Sequence, residues 1–411
     1  MLTLGLAGAL AGALAPGAAA QGPGRAYELI SPIDKNLGDV LRVPPAADDG
    51  STIPFATTAA LDDAAGAQNA SYTVARRTAT GWMLADANPA SLEPPQTLQP
   101  STTIANQFSG DFSAVLVLAA AAFDAGDRDG QRGDLYRIAA GSGAATWLSH
   151  GATVPDSAGL TVSLVWASPD LDHVVFSATG TPQLLPGAGS RALYERIGDE
   201  LRLVGYPPGS ATPAANVLAV ASNRDRSGLQ TVGASGTAVA HGGARPVSDD
   251  GRRIFFAAGT GIGAAQLHLR EDGVRTLPVS VSERTGSEGT LANARFIAAN
   301  PQGDVAYFTS ATQLTDDAQV GINIYRFSRL EEPGQRLQLI TSQGGTISTA
   351  IASADGRHLY FVSTAALTAE ATAGQRNAYH WTDGQLTLVA TVGPDAPGAD
   401  GAIARVSRDG S

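Results

Sequence analysis

The stretch Ser353-Ala354-Asp355-Gly356-Arg357-His358-Leu359-Tyr360-Phe361 decides the fold of this chain, because it is repeated along the sequence. Close copies occupy residues 248–256 and 168–176. Each copy places an aspartate two residues after a serine and follows it with a short run of mostly apolar residues. A phrase that returns at a nearly regular interval is the signature of a repeat architecture, so it outweighs any local signal.

The aspartate of the phrase gives the register of the repeat. The equivalent positions are Asp49, Asp111, Asp170, Asp250, Gln302, Asp355 and Asp409. Successive spacings are 62, 59, 80, 52, 53 and 54 residues. The longer early spacings contain insertions at 86–101 and 206–244, rich in small and polar residues. We expect both insertions to be surface loops.

Each repeat unit is predicted to contain four short strands. Asp-Gly makes a tight turn between the first two, because glycine accepts a positive φ and aspartate hydrogen-bonds its own backbone. A large apolar residue, a tyrosine-containing strand and a short apolar strand follow in most units. Four antiparallel strands in about 50 residues describe a propeller blade. A β-solenoid would repeat in about 20 to 30 residues and a sandwich in about 100, so both fit worse.

The predicted fold class is therefore all-β, a β-propeller of four-stranded antiparallel blades with six complete blades and the start of a seventh. The chain divides into a signal peptide at 1–20, an extended segment at 21–39 and a propeller domain at 40–411. The predicted blades cover 40–84, 104–148, 162–204, 244–278, 292–341 and 348–390, and an incomplete blade begins at 403.

The first twenty residues are rich in Leu, Ala and Gly and end at Ala18-Ala19-Ala20. This pattern is typical of a secretory signal, so we expect a secreted or cell-envelope protein. A buried helix is the alternative, but its glycines and Pro16 would make it a poor one. The same residues argue against a membrane span. The absence of cysteine fits an exported protein that does not depend on disulfides.

The net charge of -11 excludes two classes of partner. Nucleic acid requires a basic surface, and an anionic membrane would repel an acidic protein. We expect a monomer that engages a protein or cell-wall partner and needs no cofactor.

The phrase Ser-x-Asp-Gly-x-x-Φ-x-Phe, followed by an Asn/Asp-Φ-Tyr strand, resembles the WD40-like repeat of the PD40, TolB-type propellers. The resemblance covers about Val40 to Ser411. It implies an exported protein that binds other proteins, although some relatives carry a fused enzyme domain. Two positions depart from the pattern: Phe112 stands where Gly is expected, and Gln302 replaces Asp.

One loop has a composition that calcium could use. Four aspartates lie within eleven residues: Asp124, Asp127, Asp129 and Asp134. Calcium takes several carboxylate oxygens from one loop, but the spacing is not that of an EF-hand. The alternative is a polar hairpin loop in which Asp134 opens the third strand, as Asn323 and Asn377 do elsewhere. We favour this alternative and predict no metal site.

No catalytic, cofactor-binding or metal-binding residue is predicted. The histidines are His150, His173, His241, His268, His358 and His380, and none forms a close H-x-H or H-x-x-x-H pair. His173 and His358 occupy equivalent positions, which indicates a structural role. The segment 233–236 lacks the full G-x-S-x-G pattern, and the glycine-rich 259–263 opens no helix.

Two functions remain open. The first is an exported, non-catalytic binding or scaffold protein that engages its partner through rim loops. The second is a propeller-type glycan hydrolase or lyase with two carboxylates about 5 to 10 Å apart at the central channel. A third, weaker alternative is a purely structural surface protein. Function is expected where the repeats differ: in the 124–134 loop, in the two insertions and after the seventh copy.

Overall fold

A computed structural model of the chain describes residues 28–35, 39–42, 46–47, 49–57, 61, 71–87, 104–119, 122–128, 133–151, 159–220, 244–259, 265–345 and 347–392. The predicted signal peptide at 1–20 and the predicted seventh unit from 403 lie outside these residues.

The described residues form six sheets of four strands each and contain no helix. The first sheet contains β1 (Val40–Arg42), β2 (Thr52–Thr57), β3 (Ser71–Thr78) and β4 (Gly81–Asp86). The second contains β5 (Ile104–Phe108), β6 (Ala114–Ala119), β7 (Asp134–Ala139) and β8 (Ala145–Trp147). The third contains β9 (Thr161–Ala167), β10 (His173–Thr179), β11 (Arg191–Ile197) and β12 (Glu200–Leu203).

The remaining three sheets follow the same plan. The fourth contains β13 (Val217–Ala219), β14 (Arg253–Gly259), β15 (Ala265–Glu271) and β16 (Arg275–Pro278). The fifth contains β17 (Arg295–Ala299), β18 (Val305–Ser310), β19 (Asn323–Ser328) and β20 (Leu337–Thr341). The sixth contains β21 (Ile347–Ala352), β22 (His358–Ser363), β23 (Arg376–Thr382) and β24 (Gln385–Val392).

The sheet topology confirms an all-β propeller of four-stranded antiparallel blades. Within every sheet the strands pair in chain order, and every pairing between these strands is antiparallel. First strands of neighbouring sheets lie against each other in two places, β5 with β9 and β17 with β21. The first strands therefore form the inner edge of the propeller. The core lies between sheets, where Phe255 of the fourth sheet packs on Phe296 of the fifth.

The serine of the phrase closes the turn between the first two strands. Ser353 Oγ donates to Asp355 Oδ1 (2.5 Å) and accepts from the His358 N–H (3.1 Å). Asp355 Oδ1 also accepts from the Arg357 N–H (2.9 Å). The same bonds recur around Ser168 in the third sheet. The turn thus satisfies its own polar groups within six residues.

The fifth sheet preserves this turn with different chemistry. Asn300 replaces the serine, and its Oδ1 accepts from the Asp304 N–H (2.9 Å) and the Val305 N–H (3.0 Å). Its Nδ2 donates to Gln302 Oε1 (3.1 Å), and Gln302 stands where the other sheets have aspartate. The sequence departure at Gln302 is therefore one half of a paired exchange that removes a charge and keeps the turn.

The residue that follows the aspartate of the phrase adopts a positive φ. In two sheets this residue is not glycine. Phe112 has φ 58° and Leu171 has φ 61°, yet both side chains are buried. Burial of a large apolar side chain stabilises by about 1.5 to 3 kcal/mol, which offsets the roughly 1 to 3 kcal/mol strain of this conformation. The departure at Phe112 therefore keeps the turn.

Tyrosines of the third strands hold the loops that precede them. Tyr325 Oη accepts from the Leu314 N–H (2.9 Å) and donates to Thr312 O (3.0 Å). Tyr379 makes the equivalent bonds with Leu367 (2.9 Å) and Ala365 (2.6 Å). The apolar residue and the tyrosine that recur in the sequence are thus two ends of one hydrogen-bonded unit.

The expectation that 206–244 is only a surface loop is wrong in part. The fourth blade is also expected to start at 244, but it starts earlier. The first strand of the fourth sheet is Val217–Ala219, which pairs with the end of β14. Val247 forms a separate antiparallel bridge to Ile254 near the start of β14. The insertion therefore interrupts the inner strand itself. The three residues that remain in this strand are too few to show an alternation of apolar and polar residues.

We predict that Tyr325→Phe lowers the free energy of unfolding by about 1 to 3 kcal/mol, because it leaves the buried Leu314 N–H without an acceptor. Urea denaturation measures this change. Tyr206→Phe is the matched control, since the Tyr206 ring stacks on Arg270 while its hydroxyl makes no hydrogen bond to a described residue. Equal losses in both variants would contradict the prediction.

The phrase carboxylates predict a loss of stability in acid. The backbone N–H of Ser113, followed by the hydroxyls of Ser109 and Ser113, lowers the pKa of Asp111 from its usual 3.8 to about 2. Burial raises the pKa of Asp355, but hydrogen bonds from the Ser353 hydroxyl and the Arg357 N–H lower it by more. The pKa of Asp355 is therefore also shifted downward. Such carboxylates stabilise the fold above pH 4, and this stability is lost as the pH falls through about 2.

We therefore expect the denaturant concentration at the unfolding midpoint of the wild-type protein to decrease as the pH is lowered from about 4 to about 2. The midpoint of Asp111→Asn should decrease less over the same range. At pH 7 the variant should remain folded, because the neutral Gln302 fills the equivalent position in the fifth sheet. Chemical denaturation across this pH range is the measurement. Parallel pH profiles for the two proteins would count against this assignment.

Candidate functional site

A groove lies between the fifth and sixth sheets, at the end of the blades where the phrase turns are. Its volume is about 490 Å³. We name it the fifth-sheet groove. It is lined by Asn300, Gln302, Asp304, Val305, Arg326, Ser328, Leu330, Glu331, Ala354 and Asp355.

Two departures from the repeat meet in the fifth-sheet groove. One is the exchange that places Asn300 and Gln302 in the turn. The other is the connection between the third and fourth strands, which runs over 329–336 in the fifth sheet. In the other sheets the same connection has at most five residues, as at 140–144 in the second. The lining of the groove thus combines residues of the phrase, such as Asp355, with residues that the repeat does not dictate.

Ion pairs hold the lengthened 329–336 loop at its start. Arg329 Nε donates to Asp304 Oδ1 (2.6 Å), and an Arg329 Nη lies 3.5 Å from Glu271 Oε1 of the fourth sheet. These carboxyl groups are mostly buried, with side-chain exposures of 20% and 10%. An ion pair with little solvent contact is screened less by salt than an exposed one. The start of the loop is therefore fixed to two sheets.

A glutamate from a different connection holds the end of the loop. Glu283 accepts from the Arg336 N–H at Oε1 and from the Leu337 N–H at Oε2, both at 2.9 Å. Hydrogen bonds to an ionised carboxylate contribute more than neutral ones, about 1.5 to 3 kcal/mol each. Between these two anchors the tip of the loop presents Leu330 and Glu331 to solvent.

The groove is acidic. Its lining contains three carboxylates, of Asp304, Glu331 and Asp355, and one guanidinium, of Arg326, which gives a formal charge of -2 (-3 + 1). Asp304 is paired with Arg329. The Glu331 carboxylate makes no hydrogen bond or ion pair with a described residue. Arg326 Nε donates to Gly356 O (3.2 Å), across the seam between the two sheets.

An apolar side chain stands at the edge of this acidic lining. Leu330 is 66% exposed, while Val305, which also lines the groove, is buried. The groove therefore offers an ionised carboxylate and an exposed apolar contact on adjacent residues. Such a surface can bind a ligand that combines a basic group with an apolar one.

The 124–134 loop uses its aspartates inside the second sheet. Asp127 accepts a hydrogen bond from the Tyr136 hydroxyl. Asp134 Oδ1 accepts from Trp147 Nε1 (2.9 Å) and from Ser149 Oγ (2.5 Å). Asn323 holds the corresponding place in the fifth sheet and donates to Gln319 O (2.9 Å). The structural interpretation of Asp134 is thus supported.

The calcium alternative draws no support from the part of the chain that the structure describes. No group of three or more metal-ligating side chains is assembled there. Asp124 Oδ1 accepts from the Gly126 N–H (2.7 Å), a bond within the loop. Asp129 lies outside the described residues.

The structure brings together histidines that the sequence leaves apart. His358 Nδ1 lies 2.9 Å from His380 Nε2 across β22 and β23. Burial, and then the neighbouring His358, lowers the pKa of His380. His173 instead pairs with the buried Glu195 (2.7 Å), and this hydrogen bond raises the pKa of His173. Sequence spacing could not show either pair, because each depends on the register between two strands.

The first strands test the idea of carboxylates at the channel. None of the six described first strands contains an aspartate or a glutamate. In the second sheet the amide of Gln107 in the first strand exchanges two hydrogen bonds with the backbone of Ala167 in the third sheet (2.7 and 3.0 Å). The inner strands thus supply packing and bridging groups instead of paired acids.

Several sequence candidates fall outside the described residues. These are the serine of 233–236, the central part of 259–263 and most of the 86–101 insertion. Within the described ranges, no helix is long and apolar enough to cross a membrane.

No family model matches the chain, and no curated protein matches it. Solved structures similar to it include a prolyl endopeptidase, with 13% identity and a TM-score of 0.46, over 87% of this chain and 43% of that one. TolB from Acinetobacter baumannii has 11% identity and a TM-score of 0.36, over 84% and 65%. A putative TolB from Agrobacterium tumefaciens has 14% identity and a TM-score of 0.35, over 72% and 82%. The chain spans less than half the length of the prolyl endopeptidase.

The fifth-sheet groove is not among the sites that the sequence predicts. The signals that could have identified it are the Gln302 departure and the extra residues at 329–336, which lengthen one connection in one repeat. Leu330 and Glu331 belong to that connection and follow no pattern of the repeat.

We predict that Glu283→Ala opens the loop, because it removes the acceptor of the Arg336 and Leu337 N–H groups. Hydrogen exchange in 329–337 should become roughly ten-fold faster or more. Glu288→Ala is the matched control, since Glu288 accepts only from the Gly286 N–H of its own turn (2.9 Å). Unchanged exchange in Glu283→Ala, or equal acceleration in the control, would refute the anchoring role.

Proposed function

We propose that this protein is an exported β-propeller that binds a protein of the cell envelope through the fifth-sheet groove and catalyses no reaction. The observation that carries the proposal is the coincidence, in one groove, of the two departures from the repeat described above. A groove formed by the repeated phrase alone would be shared by several seams, whereas this one belongs to the fifth sheet.

The shape and lining of the groove favour a protein ligand. Small-molecule sites are concave and mostly apolar, and they bury most of the ligand surface. The fifth-sheet groove is open and polar instead, and an exposed leucine stands at its edge. Such a surface suits a segment of a protein that lies along it.

The anchors of the groove favour binding without a large rearrangement. Arg329 and Glu283 fix the two ends of the 329–336 loop. A preorganised site loses less conformational entropy when it binds, so more of the interaction energy appears as affinity. This rigidity matches a role in recognition.

The groups in the groove also favour binding over catalysis. Asp304 is engaged with Arg329, and Asp355 holds the phrase turn through Ser353. Export is supported by the apolar segment at 1–20 and by the absence of cysteine. A cell-envelope partner follows from that location.

Site-specific photo-crosslinking tests the proposal. A benzophenone amino acid is placed at Leu330 or, as a matched control, at Val320, and the protein is expressed in its native envelope. Both side chains are exposed, at 66% and 83%, and their loops lie at opposite ends of the fifth sheet. We expect a discrete protein adduct from position 330 and none from position 320.

Two results would overturn the proposal. One is an adduct only at 320, or equal adducts at both positions, which would place binding elsewhere. The other is conversion of the captured partner or of an envelope glycan by the purified protein, which would make it an enzyme.

A further inference from the structure

We infer that the fifth-sheet groove recognises a basic amphipathic segment of its partner, in which an arginine or lysine stands next to an apolar residue. This inference rests on the proposed function and specifies the chemistry of the ligand. It is carried by the exposed carboxylate of Glu331, by the position of Leu330 beside it, and by the carboxylate of Asp355 across the groove.

The arginines around Glu331 are already engaged. Arg329 beside the groove is paired with Asp304 (2.6 Å), and Arg357 is paired with Asp383 (2.7 Å). Two further arginines donate to backbone carbonyl groups, Arg326 to Gly356 O and Arg336 to Glu331 O (both 3.2 Å). Glu331 is exposed and has no ion-pair partner among the described residues. The negative charge of Glu331 is therefore left for a ligand.

The opposite wall of the groove contains a second acceptor. Asp355 of the sixth sheet uses Oδ1 to accept from Ser353 and from the Arg357 N–H. No hydrogen bond from a described residue reaches its Oδ2. Asp355 and Glu331 thus present carboxylate oxygens from two different sheets that line one groove. A guanidinium or an ammonium carries several donors and suits two such acceptors.

The basic group of the ligand should belong to a long side chain with an apolar neighbour. Leu330 is exposed next to Glu331, and it provides apolar surface at the edge of the groove. Lysine and arginine lay their methylene stems on apolar surface and keep the charged end in water. An apolar residue beside the base would cover the rest of Leu330.

The net charge disfavours the opposite chemistry. The protein carries -11 overall and the groove lining -2, so an acidic segment would be repelled. A basic segment would instead be attracted, and its association would weaken as salt rises.

Fluorescence anisotropy with defined peptides tests the inference. The probe is a labelled peptide of alternating arginine and leucine, Arg-Leu-Arg-Leu-Arg-Leu, and its acidic counterpart replaces every arginine with glutamate. We expect the full-length protein to bind the basic peptide, with an affinity that falls at about 0.5 M salt, and to bind the acidic one not at all.

Two variants and one control locate the contact. Glu331→Lys should weaken binding of the basic peptide by roughly ten-fold, because it replaces an attraction with a repulsion. Leu330→Ser should weaken binding by roughly three-fold or more through the lost apolar contact. Glu370→Lys makes the same charge change on an exposed loop at the opposite end of the sixth sheet and should weaken binding far less. Thermal unfolding checks that all three variants fold.

Three results would overturn the inference: no binding of the basic peptide, equal binding of the acidic peptide, or an equal loss in Glu331→Lys and Glu370→Lys. These results are distinguishable from failure of the proposed function. A crosslink from position 330 combined with no binding of the basic peptide would refute only the chemistry inferred here.

Discussion

The structure depends on the contact between the turn of one sheet and the second strand of the sheet before it. A Cβ atom on Gly251 would lie 2.0 Å from His173 Cγ, and one on Gly356 would lie 2.8 Å from Val305 Cβ. Glycine therefore serves two needs at these turns, the positive φ and the close approach of the neighbouring sheet. A single blade cannot bury both of its faces, so each sheet becomes stable only when this contact brings its neighbours together.

The fifth-sheet groove arises from variation on this contact. Gly303 of the fifth sheet still lies against Arg253 of the fourth, since a Cβ there would come within 2.9 Å of Arg253 Cβ. The turn beside it, however, exchanges serine and aspartate for Asn300 and Gln302, and the connection at 329–336 is lengthened. The repeated interactions hold the sheets in place, while the positions that they leave free vary and form a surface.

The groove and the seam share residues, which makes the groove rigid. Asp304 accepts from Arg329 (2.6 Å) and also lies 3.7 Å from Arg253 of the fourth sheet. Arg329 in turn reaches Glu271. Partly buried charges connected in this way hold one another in place, because removal of one would leave the others without a partner. A ligand in the groove would therefore meet a surface that is already ordered.

Most of the four-stranded blades could be predicted from their repeat, whereas the groove could not. The turn at Asp355 closes within six residues and the Tyr325 bond to Leu314 spans eleven positions, so both are local in the chain and their repetition is visible without coordinates. The inner strand Val217–Ala219, the pairing of His358 with His380 and the acidic groove are not visible in this way. Each depends on strand register or on the approach of two sheets, and the packing of distant residues sets both.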